Sequence, residues 1–191
     1  MKALFKSFYT IMMVGLLAFS GLACAKDNSA LAAKHKKIIK TFPTVQHISN
    51  VEFSALDKDD VVIFDIREAD EYDVSHMEGA VLISPNLPPQ SFLTQYAQMT
   101  KGKTVLFYCS VGYRSSNLAK DVQDDLITSG SGPVYNLEGG LFKWHNDKRP
   151  LVTADAKPTD YIHPYNGFWG RMVNQKDKTR YKADLDAIKT D

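Results

Sequence analysis

Thr104-Val105-Leu106-Phe107-Tyr108-Cys109-Ser110-Val111-Gly112-Tyr113-Arg114-Ser115 is the stretch on which the reading of the fold turns. Its first five residues are β-branched or aromatic, the signature of a buried strand. Ser115-Ser116-Asn117-Leu118-Ala119-Lys120-Asp121-Val122 then reads as the capped start of a helix, with Ser115 as the cap. A cysteine at such a strand-to-helix turn sits where backbone N–H groups and the positive end of the helix converge. That field lowers a thiol's pKa and holds an anion above it. Gly112 supplies the positive φ of a tight loop. Arg114 adds a cation whose fork suits oxyanions, and it would be costly in a core turn without an anion to face. A lone cysteine after a buried strand is more commonly a small core hydrophobe. Gly112, Arg114 and Ser115 tip Cys109 toward a nucleophilic thiolate in an anion cradle.

Strand and helix signals alternate around this turn. Ser49-Asn50-Val51-Glu52 has capping-box spacing and predicts a short helix to about Leu56. Val61–Phe64 and Ala80–Ile83 read as strands, Gln90–Met99 as a helix, Ser115–Ile127 as a helix, Val134–Asn136 as a strand and Gly140–Asn146 as a helix. The alternation predicts an α/β domain whose mainly parallel central sheet carries helices on both faces. Ligands of such folds bind outside the carboxyl ends of the strands. Asp65, Cys109 and the Glu138-Gly139-Gly140 turn all fall at such ends and should converge.

Three ordered blocks resemble the rhodanese-like sulfurtransferases. The first is Val61-Val62-Ile63-Phe64-Asp65-Ile66-Arg67-Glu68, running through Glu71-Tyr72 to Ser75-His76-Met77-Glu78-Gly79-Ala80. The second is the Cys109 loop, and the third is Val134-Tyr135-Asn136-Leu137-Glu138-Gly139-Gly140-Leu141-Phe142-Lys143-Trp144. The likeness spans 45–152 and contains a single Cys loop. It implies a rhodanese-like fold and sulfur transfer through a Cys109 persulfide, from a donor such as thiosulfate or a persulfide to cyanide or a thiol. On this likeness Ser110, Val111, Gly112, Tyr113, Arg114 and Ser115 bind the substrate, with Arg114 on the donor's oxyanion end. Asp65, Arg67, Glu138 and Gly139 support the loop, where Arg67 can pair with Asp65 or another carboxylate and brace the loop's backbone, and His76 sits in a structural turn. Some thiosulfate-using relatives carry a second Arg where this chain has Glu71, which weakens the case for thiosulfate.

Two other functions compete. Phosphatase and arsenate-reductase relatives place five residues between Cys and Arg, usually after a His; here four intervene and Tyr108 precedes. A binding module that senses persulfide or redox state through Cys109, without turnover, is the other.

The flanks read differently. Lys2 and Lys6, the apolar run 11–19 and the small residues Ser20, Gly21, Ala23 and Ala25 have the layout of an export signal over 1–25. The apolar run is shorter than the roughly 20 residues of a spanning helix. Cleavage after Ala25 would release a periplasmic protein, while Leu22-Ala23-Cys24 resembles a lipoprotein box that would tether it through a lipidated Cys24. In either route Cys109 is left as the free thiol, with no disulfide to staple the core. Loss of Lys2 and Lys6 would leave 21 Lys+Arg against 22 Asp+Glu, a balance that gives no reason to invoke nucleic acid. The residue spacing offers no metal site and requires no cofactor. Within 26–44, Ala30–Lys40 reads as a basic amphipathic helix ended before Pro43. Over 153–191 a dense aromatic run, Tyr161 to Gly170, precedes charged residues 176–189 whose later part reads as helical. The aromatics are expected as a clasp across the domain or as a lid beside the site.

Overall fold

The computed structural model describes residues 29–183, so the export and lipidation signals, Cys24 and the later part of 176–189 lie outside the described residues. Five strands form one parallel sheet: β1 (Gln46–Ile48), β2 (Val61–Asp65), β3 (Val81–Leu82), β4 (Thr104–Tyr108) and β5 (Val134–Leu137), in the order β1-β5-β4-β2-β3. The chain leaves β2 toward β3 and leaves β4 toward β5, in opposite directions. A crevice therefore opens between the carboxyl ends of β2 and β4, the usual position of a site in this architecture.

The sheet is covered on both sides because its strands alternate. Ile63, Leu106 and Tyr108 point into one cluster, with Phe53, Leu141, Phe142 and Trp144. Phe64, Val105 and Phe107 point into the other, with Phe92, Leu118, Val122 and Leu126. These come from α2 (Asn50–Ser54) and α6 (Gly140–Asn146) on the first face, and from α4 (Pro89–Tyr96) and α5 (Tyr113–Thr128) on the second. In the second layer Phe64 stacks on Phe107 at 5.4 Å and meets Phe92 edge-on at 5.0 Å. Each such fully buried ring contributes about 2–3 kcal/mol of burial.

The flanks join the same core. Helix α1 (Ser29–Thr41) buries Leu31 in the first cluster and Ile38 in the second, where Phe42, just past its end, also lies. A two-stranded antiparallel pair, β6 (Leu151–Val152) with β7 (Pro158–Thr159), leads into an irregular segment whose Ile162 and Val173 are fully buried against Leu31 and Tyr108. No helix of the described residues is long and apolar enough to cross a membrane.

Several elements differ from the sequence reading. Strand β1 and helix α3 (Ala69–Val74) were not anticipated, since each is too short for a periodic signal. The helix expected over 90–99 is α at Pro89–Tyr96 and tightens to 3₁₀ at Ala97–Thr100. Helix α5 starts at Tyr113 rather than Ser115, because Gly112 takes the left-handed φ of 95° that turns the chain at once into the helix. The Ser49 box forms as expected, with Ser49 and Glu52 capping each other.

Candidate active site

Cys109 is the first residue past β4, and 2% of it is exposed. The Gly112 N–H donates to its Sγ at 3.2 Å. Burial alone would push this thiol up. The Arg114 charge, the Ser115 N–H and hydroxyl and the Val111 N–H overcome that and hold it below the ordinary thiol value. The Ser115 hydroxyl does not cap the helix. It is fully buried beside the sulfur, bonded to no backbone group of the helix.

The loop is clamped from behind by α6. Leu141 N–H donates to the Cys109 carbonyl and Phe142 N–H to that of Ser110, each at 2.9 Å. This approach requires Gly140, at φ 59°, since a Cβ there would strike the Cys109 carbonyl oxygen and come within 2.9 Å of the Gly112 nitrogen. Of the turn residues expected to support the loop, Glu138 donates its N–H to the Ile48 carbonyl on β1, and Gly139 is the N-cap of α6. The supporting role falls to the next residue, because the amides that reach the loop carbonyls are those of the first turn of α6.

Asp65 and Arg67 pair with each other, as the resemblance implies. They form a fully buried ion pair, with Nε to Oδ1 at 2.8 Å and Nη2 to Oδ2 at 2.6 Å. The Tyr108 hydroxyl donates to the same carboxylate at 2.6 Å. Arg67 spends its remaining donors on the Glu71 and Ser75 carbonyls, at 3.2 and 2.7 Å. It therefore ties down the carboxyl end of α3 rather than the Cys109 loop, as an arginine removed from water must bond every accessible acceptor. His76 lies flat on Tyr72 at 3.6 Å and bonds its carbonyl through Nδ1 at 3.0 Å.

What α3 brings to the site is Glu71, 1% exposed. Its carboxylate accepts from Arg114 Nη1 at 2.9 Å and Nη2 at 3.0 Å, and from the Ser110 hydroxyl at 2.5 Å. Burial would raise this carboxyl; the Arg114 bond and charge overcome it and hold the group below the usual carboxylate range. Arg114 also donates to Ser110 Oγ at 2.9 Å, and Tyr165 lies 5.0 Å from its guanidinium. The cation expected on a donor's oxyanion end is already matched by a carboxylate of the protein.

Above the sulfur opens a cavity of about 250 Å³. Its floor is Cys109, Ser110 and Val111; its walls are Tyr113, Arg114, Tyr165, Trp169 and Lys34. The aromatic segment thus does two jobs, sealing the core with Ile162 and walling the cavity with Tyr165 and Trp169. Sequence reasoning missed Lys34, on α1, whose spacing showed only a basic helix face. Among the described residues no group of three or more His, Cys, Asp or Glu is arranged to hold a metal ion.

Comparison with known proteins agrees with this geometry. The family model of the rhodanese-like domain matches residues 52–147. Thiosulfate sulfurtransferase GlpE of Coxiella burnetii is 33% identical over 113 residues, 58% of this chain and 94% of that protein. The tRNA uridine(34) hydroxylase of Cytophaga hutchinsonii is 32% identical over 129 residues, 66% of this chain but 40% of the hydroxylase, so the chain spans less than half of that relative. A rhodanese-related protein of Thermoplasma volcanium superposes at a TM-score of 0.44 and 18% identity, over 56% of this chain and 97% of that one. With half of its length matched by the family model and a whole-length sulfurtransferase relative at one-third identity, the chain belongs to the rhodanese-like domain family.

Proposed function

We propose that the protein is a sulfurtransferase that carries sulfane sulfur on Cys109. One observation supports this above the others: a thiol 2% exposed is nonetheless held low in pKa, at the floor of an open cavity. Burial without activation would give an inert core cysteine. The Cys109 thiolate attacks the outer sulfur of a donor. The Sγ–S bond forms as the donor's own bond to that sulfur breaks, and sulfite or a thiolate leaves with the electron pair. An acceptor nucleophile then takes the sulfur from Cys109 and regenerates the thiolate. The two half-reactions imply ping-pong kinetics. Arg114 and the loop amides stabilise the negative sulfur in both forms, and no separate general base is needed.

Intact mass of the purified protein tests the cycle. Thiosulfate or a persulfide should add one sulfur, about 32 Da, and cyanide should remove it. A Cys109→Ser chain should never gain it. Loading without release to any acceptor would favour a persulfide sensor, and no loading from any donor would defeat the reading. The same spectrum reads the N-terminus. Our reading of the apolar run 11–19 and the small residues after it is export, with the mature chain starting at Lys26 or carrying lipid on Cys24.

A further inference from the structure

The cavity above Cys109 is assembled from two sources. Cys109 to Arg114 belong to the matched domain, whereas Lys34 and the pair Tyr165 and Trp169 lie outside it, on α1 and on the segment after β7. These flanking residues give the mouth a chemistry that the Cys loop does not require. Lys34 Nζ stands 4.8 Å from the Trp169 ring and 5.0 Å from the Tyr113 ring. Among the described residues it has no carboxylate within ion-pair distance. Arg114, deeper in, is matched by Glu71 and Ser110. The unmatched positive charge therefore lies at the mouth, and between it and the sulfur the wall is aromatic.

A small inorganic oxyanion makes poor use of this arrangement. Its charge would have to sit beside Arg114, where the Glu71 carboxylate repels it. The cavity also holds about eight water-sized volumes at roughly 30 Å³ each, more than a five-atom anion fills. A longer molecule meets every feature in order, with a sulfur at the floor, an apolar stem along Tyr165 and Trp169, and an anionic end at Lys34.

We propose that Lys34, Tyr165 and Trp169 form a subsite for the organic part of a small carboxylate-bearing thiol, which delivers its sulfur as a persulfide. This rests on the Cys109 reading and names its donor class. The step is an exchange without net oxidation: R–S–SH and the Cys109 thiolate give Cys109–S–SH and R–S⁻. The outer sulfur keeps its proton, and the departing thiolate takes the electron pair of the broken S–S bond.

A charge reversal at the mouth tests the subsite. Glutathione persulfide carries carboxylates; cysteamine persulfide offers the same sulfur on a cationic stem. Loading of Cys109 from each donor, followed by intact mass, gives kcat/KM for the full-length protein and for Lys34→Glu, with Lys34→Arg as the conservative variant. Lys34→Glu should lower the value for glutathione persulfide about tenfold and raise that for cysteamine persulfide, while Lys34→Arg keeps the original preference. Equal changes for both donors, or none for either, would overturn the subsite while Cys109 loading continued. Absence of loading from every donor would instead overturn the sulfurtransferase reading beneath it. Trp169→Ala adds a second arm: it should weaken use of both organic persulfides more than that of thiosulfate, and an equal loss with thiosulfate would count against a stem-binding wall.

Discussion

Glu71 and Arg114, 43 residues apart in the chain, meet in a two-point ion pair at 2.9 and 3.0 Å beside the Cys109 loop. The pair holds the guanidinium steady but matches its charge. Glu71→Gln keeps an acceptor for Ser110 and removes that charge. It should cost about 1–3 kcal/mol of stability, the range for a weakened buried bond, and at the same time lower the KM for thiosulfate several-fold. Urea denaturation and steady-state kinetics on the same preparation would show both effects, and a raised KM would refute the matching.

The thiolate's dependence on Arg114 has a definite sign. Arg114 supplies the largest contribution opposing the upward push of burial on Cys109. In Arg114→Gln the midpoint of iodoacetamide reactivity against pH should therefore move up, leaving less thiolate at neutral pH. In Glu71→Gln it should move down, as the cation acts unopposed. Shifts of the same direction in both variants would contradict this geometry.

All five histidines are held below their ordinary value, chiefly by burial. His47, beside His35 at 5.0 Å, is taken down to about 4. A group whose folded pKa is depressed in this way favours the fold fully while neutral, above 6.5. That contribution is lost as the pH falls from 6.5 toward 4, because the unfolded chain takes up the proton first. Melting temperature should thus decline through this window. His47→Gln should flatten the decline more than any other single histidine replacement, as a pH series of thermal melts would show.

Gly140 and Gly79 make a matched pair for testing loop support. Both have positive φ, but a Cβ on Gly79 meets nothing within 4 Å, while one on Gly140 strikes the Cys109 carbonyl. Gly79→Ala should cost about 1 kcal/mol from backbone strain alone. Gly140→Ala adds overpacking and should cost about 2–4 kcal/mol. It should also slow Cys109 alkylation as the loop amides shift. Denaturation curves with alkylation rates on both variants would separate strain from displacement.

The parts of the site written in consecutive residues were legible. The apolar strand, Gly112 and the run to Arg114 place the thiol at a strand end because local sequence determines that turn. Parts made by distant contacts were not. Glu71 reads as an acid where some thiosulfate-using relatives carry an arginine, but its helix is too short to recognise and its partner lies on another element. Asp65 and Arg67 were read as a pair beside the Cys loop; the pair forms, and the arginine's other bonds go to the Glu71 and Ser75 carbonyls at the end of α3. Lys34 and Trp169 are 135 positions apart, and no periodicity relates them to each other or to Cys109. The α/β alternation survived such gaps because both faces of β2 and β4 carry large apolar side chains.

Asp65 and Tyr108 stand opposite one another across β2 and β4, joined by hydroxyl and carboxylate. Parallel strands have no tight hairpin to fix their alignment. A slip of one residue would turn the carboxylate into the phenylalanine layer, away from the Tyr108 hydroxyl. Few misaligned chains could tolerate that, so the contact favours one register of β2 against β4. Because Cys109 follows Tyr108 directly, the same register sets the depth of the sulfur. Strand alignment and the seat of the thiol are thereby fixed by one hydrogen bond.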